Sequence, residues 1–168
     1  VKNFNNATTY GLNNKFDAHM MKNIEWGATV YLSHSKYGKN GEISTNMTTY
    51  SGSGTSNAYI SNTNQSTTGN IYGIYDMSGG RYERVMAGIF SDANKTKLII
   101  GGSTFTEAQL TLSNQNFIGA KYVDMYDFSK STTDYNRRKL GDATGETLGW
   151  YGDGAVLLLD STPWLSRG

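Results

Sequence analysis

The sequence predicts an α+β domain with one long N-terminal helix, short and mostly antiparallel strands, and long loops. Three observations predict it. Phe16, Met20, Ile24, Ala28 and Leu32 recur at a spacing of four, which puts them along one helix face. Downstream, short apolar runs alternate with clusters of Gly, Ser, Thr and Asn, the pattern of strands joined by turns. One long helix followed by several short strands then indicates α+β.

Residues 1–15 are Asn-rich and read as an extended lead-in. The helix is expected over 16–37, with Met21, Trp26, Val30 and Tyr31 widening its apolar surface. Asp17 near its start and Lys36 near its end complement the helix dipole, and Gly38 is a stop signal. Residues 38–70 are dominated by Gly, Ser, Thr and Asn and read as a long polar surface loop, with one short strand at 58–60. Beyond it, 71–75 is a short apolar run and Ser78-Gly79-Gly80 a turn. Residues 82–90 read as a strand that pairs with 97–100 across the turn residues 91–96. A further strand is expected at 120–128, a short helix around 134–140, and a buried strand at 154–159. There is no internal repeat and no heptad, so 1–168 reads as a single domain.

Composition narrows the function. A chain of 168 residues suits one domain and can bury a core without staples. Aromatic residues are 12% of the chain, which separates it from disordered sequences. A net charge of +1 gives no electrostatic footprint for nucleic acid or an anionic membrane, and the longest basic run is Arg137-Arg138-Lys139. The absence of cysteine removes disulfides, thiolate zinc sites and cysteine nucleophiles together. If His19 and His34 both lie on the helix they are roughly 22 Å apart and cannot share a metal. Each reads instead as a partly buried or surface position. The longest apolar run, Ala155-Val156-Leu157-Leu158-Leu159, is far short of a transmembrane segment. The chain opens on Val1, which leaves open a removed leader or anchor.

Enzymatic signatures are missing. No Gly-x-Ser-x-Gly elbow, P-loop or dinucleotide fingerprint occurs, and Gly101-Gly102 stands alone. Asp124, Asp127, Asp134, Asp142, Glu146 and Asp153 could supply paired carboxylates, but no spacing selects a pair.

One segment is distinctive: Gly69-Asn70-Ile71-Tyr72-Gly73-Ile74-Tyr75-Asp76-Met77-Ser78-Gly79-Gly80-Arg81-Tyr82-Glu83. Its core resembles the Tyr-Asp-Met-x-Gly-Asn-x-Trp-Glu-Trp signature of formylglycine-generating enzymes, the sulfatase-modifying-factor version of the C-type-lectin-like fold. Asn23-Ile24-Glu25-Trp26-Gly27-Ala28 resembles that family's upstream Glu-Trp-Glu-Tyr-Ala helix, and Trp164-Leu165-Ser166-Arg167-Gly168 the start of its Arg-Gly-Gly-Ser-Trp segment. The stretch from His19 to Ala28 also resembles exported proteins of gut-dwelling Gram-positive bacteria, some with pilin-like leaders. Related domains form variable receptor-binding proteins of phages and retroelements. Gly80, Tyr82 and Arg84 replace family Asn and Trp residues. The family's catalytic cysteines and final strands would follow Gly168, so the resemblance implies the scaffold without the oxidase chemistry.

Asp76, Gly79, Arg81 and Glu83 fall at 0, +3, +5 and +7 around the glycine turn. Two carboxylates with the carbonyls of Gly79 and Arg81 are a donor set for Ca²⁺, and in the enzymes that this loop resembles the matching positions hold calcium. The competing reading has Asp76 capping the turn and Glu83 paired with Arg81 or Arg84. Tyr72, Tyr75, Met77 and Tyr82 are expected to pack rather than touch a ligand.

The expected function is a non-catalytic binding or adhesion domain on a cell or virion surface, its loops meeting a surface receptor or glycan. Residues 38–70 and 129–146 would supply the contacts, with Tyr50, Tyr59 and Tyr135 as ligand-binding candidates, because tyrosine offers area at little entropic cost. The alternative is a structural subunit of a pilus-like filament or virion, packing on neighbouring subunits. Neither reading involves nucleic acid or a transmembrane segment.

Overall fold

The computed structural model describes residues 17, 19–45, 62–79, 83–106, 119–126, 143 and 165–167. Helix α1 spans Asn23–His34, and a 3-10 turn covers Thr63–Gln65. Strands β1 (Glu83–Val85), β2 (Ala87–Phe90), β3 (Lys97–Ile100) and β4 (Ser103–Thr106) follow. Then come a short helix α2 (Gly119–Tyr122), β5 (Asp124–Tyr126) and β6 (Leu165–Arg167). The architecture is mixed α+β, with one principal helix and two small, mostly antiparallel sheets. Among the described residues no helix is long and apolar enough to cross a membrane.

The larger sheet has the order β4-β3-β2-β5, and β1 pairs with β6 in the smaller one. The pairing of β2 with β5 is parallel; the other three pairs are antiparallel. The strand expected at 82–90 is thus divided between two sheets at Met86. There its backbone N–H donates to the carbonyl of Met21 (2.7 Å). The β3–β4 hairpin was not anticipated. Its two-residue turn is Gly101-Gly102, both at positive φ, the conformation that a tight hairpin needs and that glycine adopts without strain. The segment 120–128, read as one strand, holds the short helix α2 and then β5. The elements expected at 58–60, 134–140 and 154–159 lie outside the described residues.

The sheet carries apolar side chains on both faces. Ala87, Ile89 and Tyr126 join Trp26 and Val30 of α1, with Val85 and Leu165 of the smaller sheet, in the main core. Leu98, Ile100 and Val123 form a second core with Phe90, Phe105 and Met125. Gly88 lies between β3 neighbours so closely that a Cβ would sit 2.8 Å from Ile100 Cγ1.

Helix α1 departs from expectation in length and in face. It begins at Asn23 rather than 16, because the backbone of Met21 and Lys22 serves the sheet: Lys22 bridges Met86 in parallel. It ends at His34, where Ser35 Oγ donates to the Leu32 carbonyl (2.7 Å). The chain then turns so tightly that a Cβ on Gly38 would meet the Leu32 carbonyl oxygen at 2.4 Å. The buried face is Asn23, Trp26, Gly27, Val30 and Ser33. Ile24, Ala28 and Leu32, expected to face the core, are exposed. Trp26 and Val30 bury the larger area, and they choose the face.

The flanks of the 38–70 segment are also more ordered than a polar surface loop implies. Ile43, Gln65, Ser66 and Thr67 are buried. Lys39 N–H donates to the Thr67 carbonyl and Ser44 N–H to that of Asn64 (both 2.9 Å), while Lys39 Nζ donates to the carbonyls of Glu42 and Asn64.

A candidate binding cleft between the helix and the glycine turn

Residues 66–74 form a wall beside the C-terminal half of α1, and local chemistry makes that wall stiff. Thr67 N–H donates to the Ile74 carbonyl (3.0 Å), and Ile74 N–H returns a bond to Thr67 Oγ1 (3.0 Å). Asn70 Oδ1 accepts from both Tyr72 N–H (2.9 Å) and Thr68 Oγ1 (3.0 Å), an Asx turn that presents Tyr72 at its apex. Gly73 closes the turn where only glycine fits, since a Cβ there would lie 1.9 Å from Ser66 Oγ.

Between this wall and α1 runs a cleft of about 360 Å³, the size of a small-ligand site. Leu32, Tyr37, Tyr72 and Ile74 supply its apolar surface. Tyr72 is 87% exposed and Tyr37 77%. No carboxylate, imidazole, amine or guanidinium is among the described residues that line it. Three of its hydroxyls donate to the protein: Ser33 Oγ to the Val30 carbonyl (2.6 Å), Thr29 Oγ1 to that of Glu25 (3.0 Å) and Thr68 Oγ1 to Asn70 Oδ1 (3.0 Å). A hydroxyl that donates inward keeps acceptor lone pairs for a partner. The described lining is thus uncharged and mostly apolar, edged by two tyrosine rings, with Lys36 Nζ 5.0 Å from the centroid of the Tyr37 ring.

The residues singled out from the sequence fall elsewhere. Tyr50, Tyr59, Tyr135, Arg81 and Tyr82 lie outside the described residues. Met77 is buried and Tyr75 half-buried, as expected of packing residues. Tyr72, expected to pack, is instead the most exposed large apolar side chain described. Its signal was present in the sequence, because an aromatic between Asn70 and Gly73 sits on a turn apex. Tyr37, just past the helix end, gave none.

The proposed calcium residues meet a competitor. Asp76 and Gly79 both have left-handed backbone, φ 61° and 71°. Glu83, however, stands directly opposite Arg167 in the β1–β6 register, whereas Arg84 faces Ser166. Side chains so paired have Cβ atoms about 4.5–5.5 Å apart. A divalent cation on the Glu83 carboxylate would meet the positive charge of a fully buried guanidinium. Among the described residues no group of three or more Asp, Glu, His or Cys gathers to hold a metal. Arg81 lies outside the described residues, so the calcium reading of Asp76, Gly79, Arg81 and Glu83 stands as a proposal beside this register pairing. Asp124, considered above as a hydrolytic carboxylate, caps α1: its Oδ2 accepts the Ile24 N–H at 2.7 Å.

No protein-family model, no curated protein and no solved structure matches this chain.

Proposed function

We propose that this domain is a non-catalytic binding or adhesion module, displayed at a cell or virion surface on a lectin-like scaffold, and that the cleft between α1 and residues 66–74 holds its receptor or glycan. The observation that carries this reading is the pair of exposed tyrosines, Tyr37 and Tyr72, edging a cleft with an uncharged described lining and a stiff wall. Monomeric proteins keep large aromatics exposed together where they meet a partner. A sugar suits the lining: its C–H face stacks on tyrosine, and its hydroxyls can donate to the Thr29 and Thr68 oxygens and exchange hydrogen bonds with the tyrosine hydroxyls. A wall held by its own hydrogen bonds loses little entropy on binding.

A second reading, the filament or virion subunit, is favoured by the outward row of Ile24, Ala28 and Leu32 on α1. That row would pack against a neighbouring copy. A glycan array probed with the purified chain tests the first reading, with sedimentation over a hundredfold concentration range alongside. Glycan binding by a monomer supports the module; concentration-dependent assembly without glycan binding supports the subunit.

A further inference from the structure

At the other end of α1, five titratable side chains from three segments meet. His19 directs Nδ1 at the Asp17 backbone carbonyl (3.0 Å) and Nε2 at the two carboxylate oxygens of Glu25 (3.0 and 3.2 Å). Both partners are acceptors when Glu25 is ionised, so both ring nitrogens must donate. A neutral imidazole has only one N–H, and the imidazolium has two. The contacts are therefore complete only in the charged form. From α2, Tyr122 donates its hydroxyl proton to Asp17 Oδ1 (2.7 Å), and Lys121 Nζ lies 3.0 Å from Asp17 Oδ2. The Tyr122 ring lies against that of His19, with centroids 5.2 Å apart. Asp17 Oδ1 is itself 3.8 Å from His19 Nδ1. Glu25 Oε2 also accepts the Lys22 N–H (2.8 Å), and Asp124 of β5 accepts the N–H of Ile24 next to Glu25. The charged groups around His19 are thus Asp17, Glu25 and Lys121, with Lys22 and Asp124 at the helix start.

We propose that His19 is a proton-operated clasp, closed in its imidazolium form, that fastens residues 19–22 to the start of α1 and through Met21 to the sheet. The mechanical link is the Met86 N–H, bonded to the Met21 carbonyl where β1 passes into β2. Loss of the proton turns one ring lone pair toward an oxygen, so that contact opens and the lead-in loosens from Met86.

The sign follows from the same contacts. The bond from Glu25 holds the His19 pKa above its ordinary value, against the opposing effect of burial. The clasp is therefore fully present below the ordinary histidine value and is lost as pH rises through the higher folded value. On the acid side the bonds from Tyr122 and Lys121 lower the pKa of Asp17. Burial pushes Glu25 upward, but the Lys22 N–H and His19 outweigh it and leave it lowered. The clasp thus opens again only when pH falls through those depressed carboxylate values.

Amide hydrogen exchange and a histidine NMR titration on the intact chain test this. After correction for intrinsic base catalysis, Met86 protection should fall severalfold from mildly acid to alkaline pH, while amides of β3 hold theirs. His19→Gln keeps a donor for Glu25 but carries no charge, and should make Met86 protection independent of pH over that range. The His19 ring, told apart from His34 by a His34→Gln variant, should titrate above the free-histidine value of about 6.5. A His19 midpoint at or below that value overturns the proposal, as does pH-dependent Met86 protection that persists in His19→Gln.

Discussion

The guanidinium of Arg167 lies over the indole of Trp26, 4.0 Å from the ring centroid, and both side chains are fully buried. Arg167 Nη2 donates to the Ala143 carbonyl at 2.7 Å, and Glu83 stands opposite Arg167 across β1 and β6. A planar, delocalised cation can bury itself on an aromatic face where an ammonium would stay hydrated. This stack joins the helix to the smaller sheet. Trp26→Ala should lower stability by about 3–5 kcal/mol. Arg167→Met should cost about 3 kcal/mol, because it leaves Glu83 facing no cation, and Glu83→Gln in the same chain should recover part of that loss. Urea unfolding of the two single variants and the double variant measures both effects.

Asp124 reaches α1 from β5, about a hundred residues away in sequence. Its carboxylate takes one of the N–H groups that a helix start leaves without an intrahelical partner. Asp124→Ala should therefore cost about 1–2 kcal/mol, and Asp124→Asn less, since the amide oxygen still accepts. Thermal melts of the two variants give the order. Equal losses would mean that packing rather than the cap matters here.

These two residues also mark where the sequence stops being legible. The helix, the pairing of 87–90 with 97–100 and the α+β class could be read because periodicity and turn residues are local signals. The helix face could not. A step of four residues turns the helix about 40° beyond a full circle, so a strict spacing of four drifts off any one face. The Ile24–Ala28–Leu32 row drifts onto solvent, while buried Asn23 and Ser33 interrupt the true apolar stripe. Asn23 is buried because its Nδ2 donates to the Tyr126 hydroxyl (2.8 Å), a partner that only the fold reveals. Part of the cleft was legible, since glycines and Asn70 announce the turn that presents Tyr72. Its other wall depends on where the helix stops, and the helix ends at His34, three residues before the expected 37.

The Glu83–Arg167 pairing makes a forecast about calcium. If the cation that Glu83 faces is Arg167, the melting temperature should be the same in millimolar Ca²⁺ and in chelator. Glu83→Gln should lower it equally in both. A bound ligand at a hundredfold excess over its Kd would instead add about 2.7 kcal/mol. A calcium-dependent rise that Asp76→Asn with Glu83→Gln abolishes would support the calcium site instead.

The most direct measurement is binding by a chain whose cleft has lost its aromatic edges. Tyr37 and Tyr72 are exposed, so Tyr37→Ala with Tyr72→Ala should leave the thermal melt within about 0.5 kcal/mol of the parent. Glycan-array and whole-cell binding should meanwhile fall by about tenfold or more, the loss expected when central aromatic contacts worth over about 1.4 kcal/mol are removed. Undiminished binding by a stably folded double variant would contradict the account and move the binding surface away from this cleft.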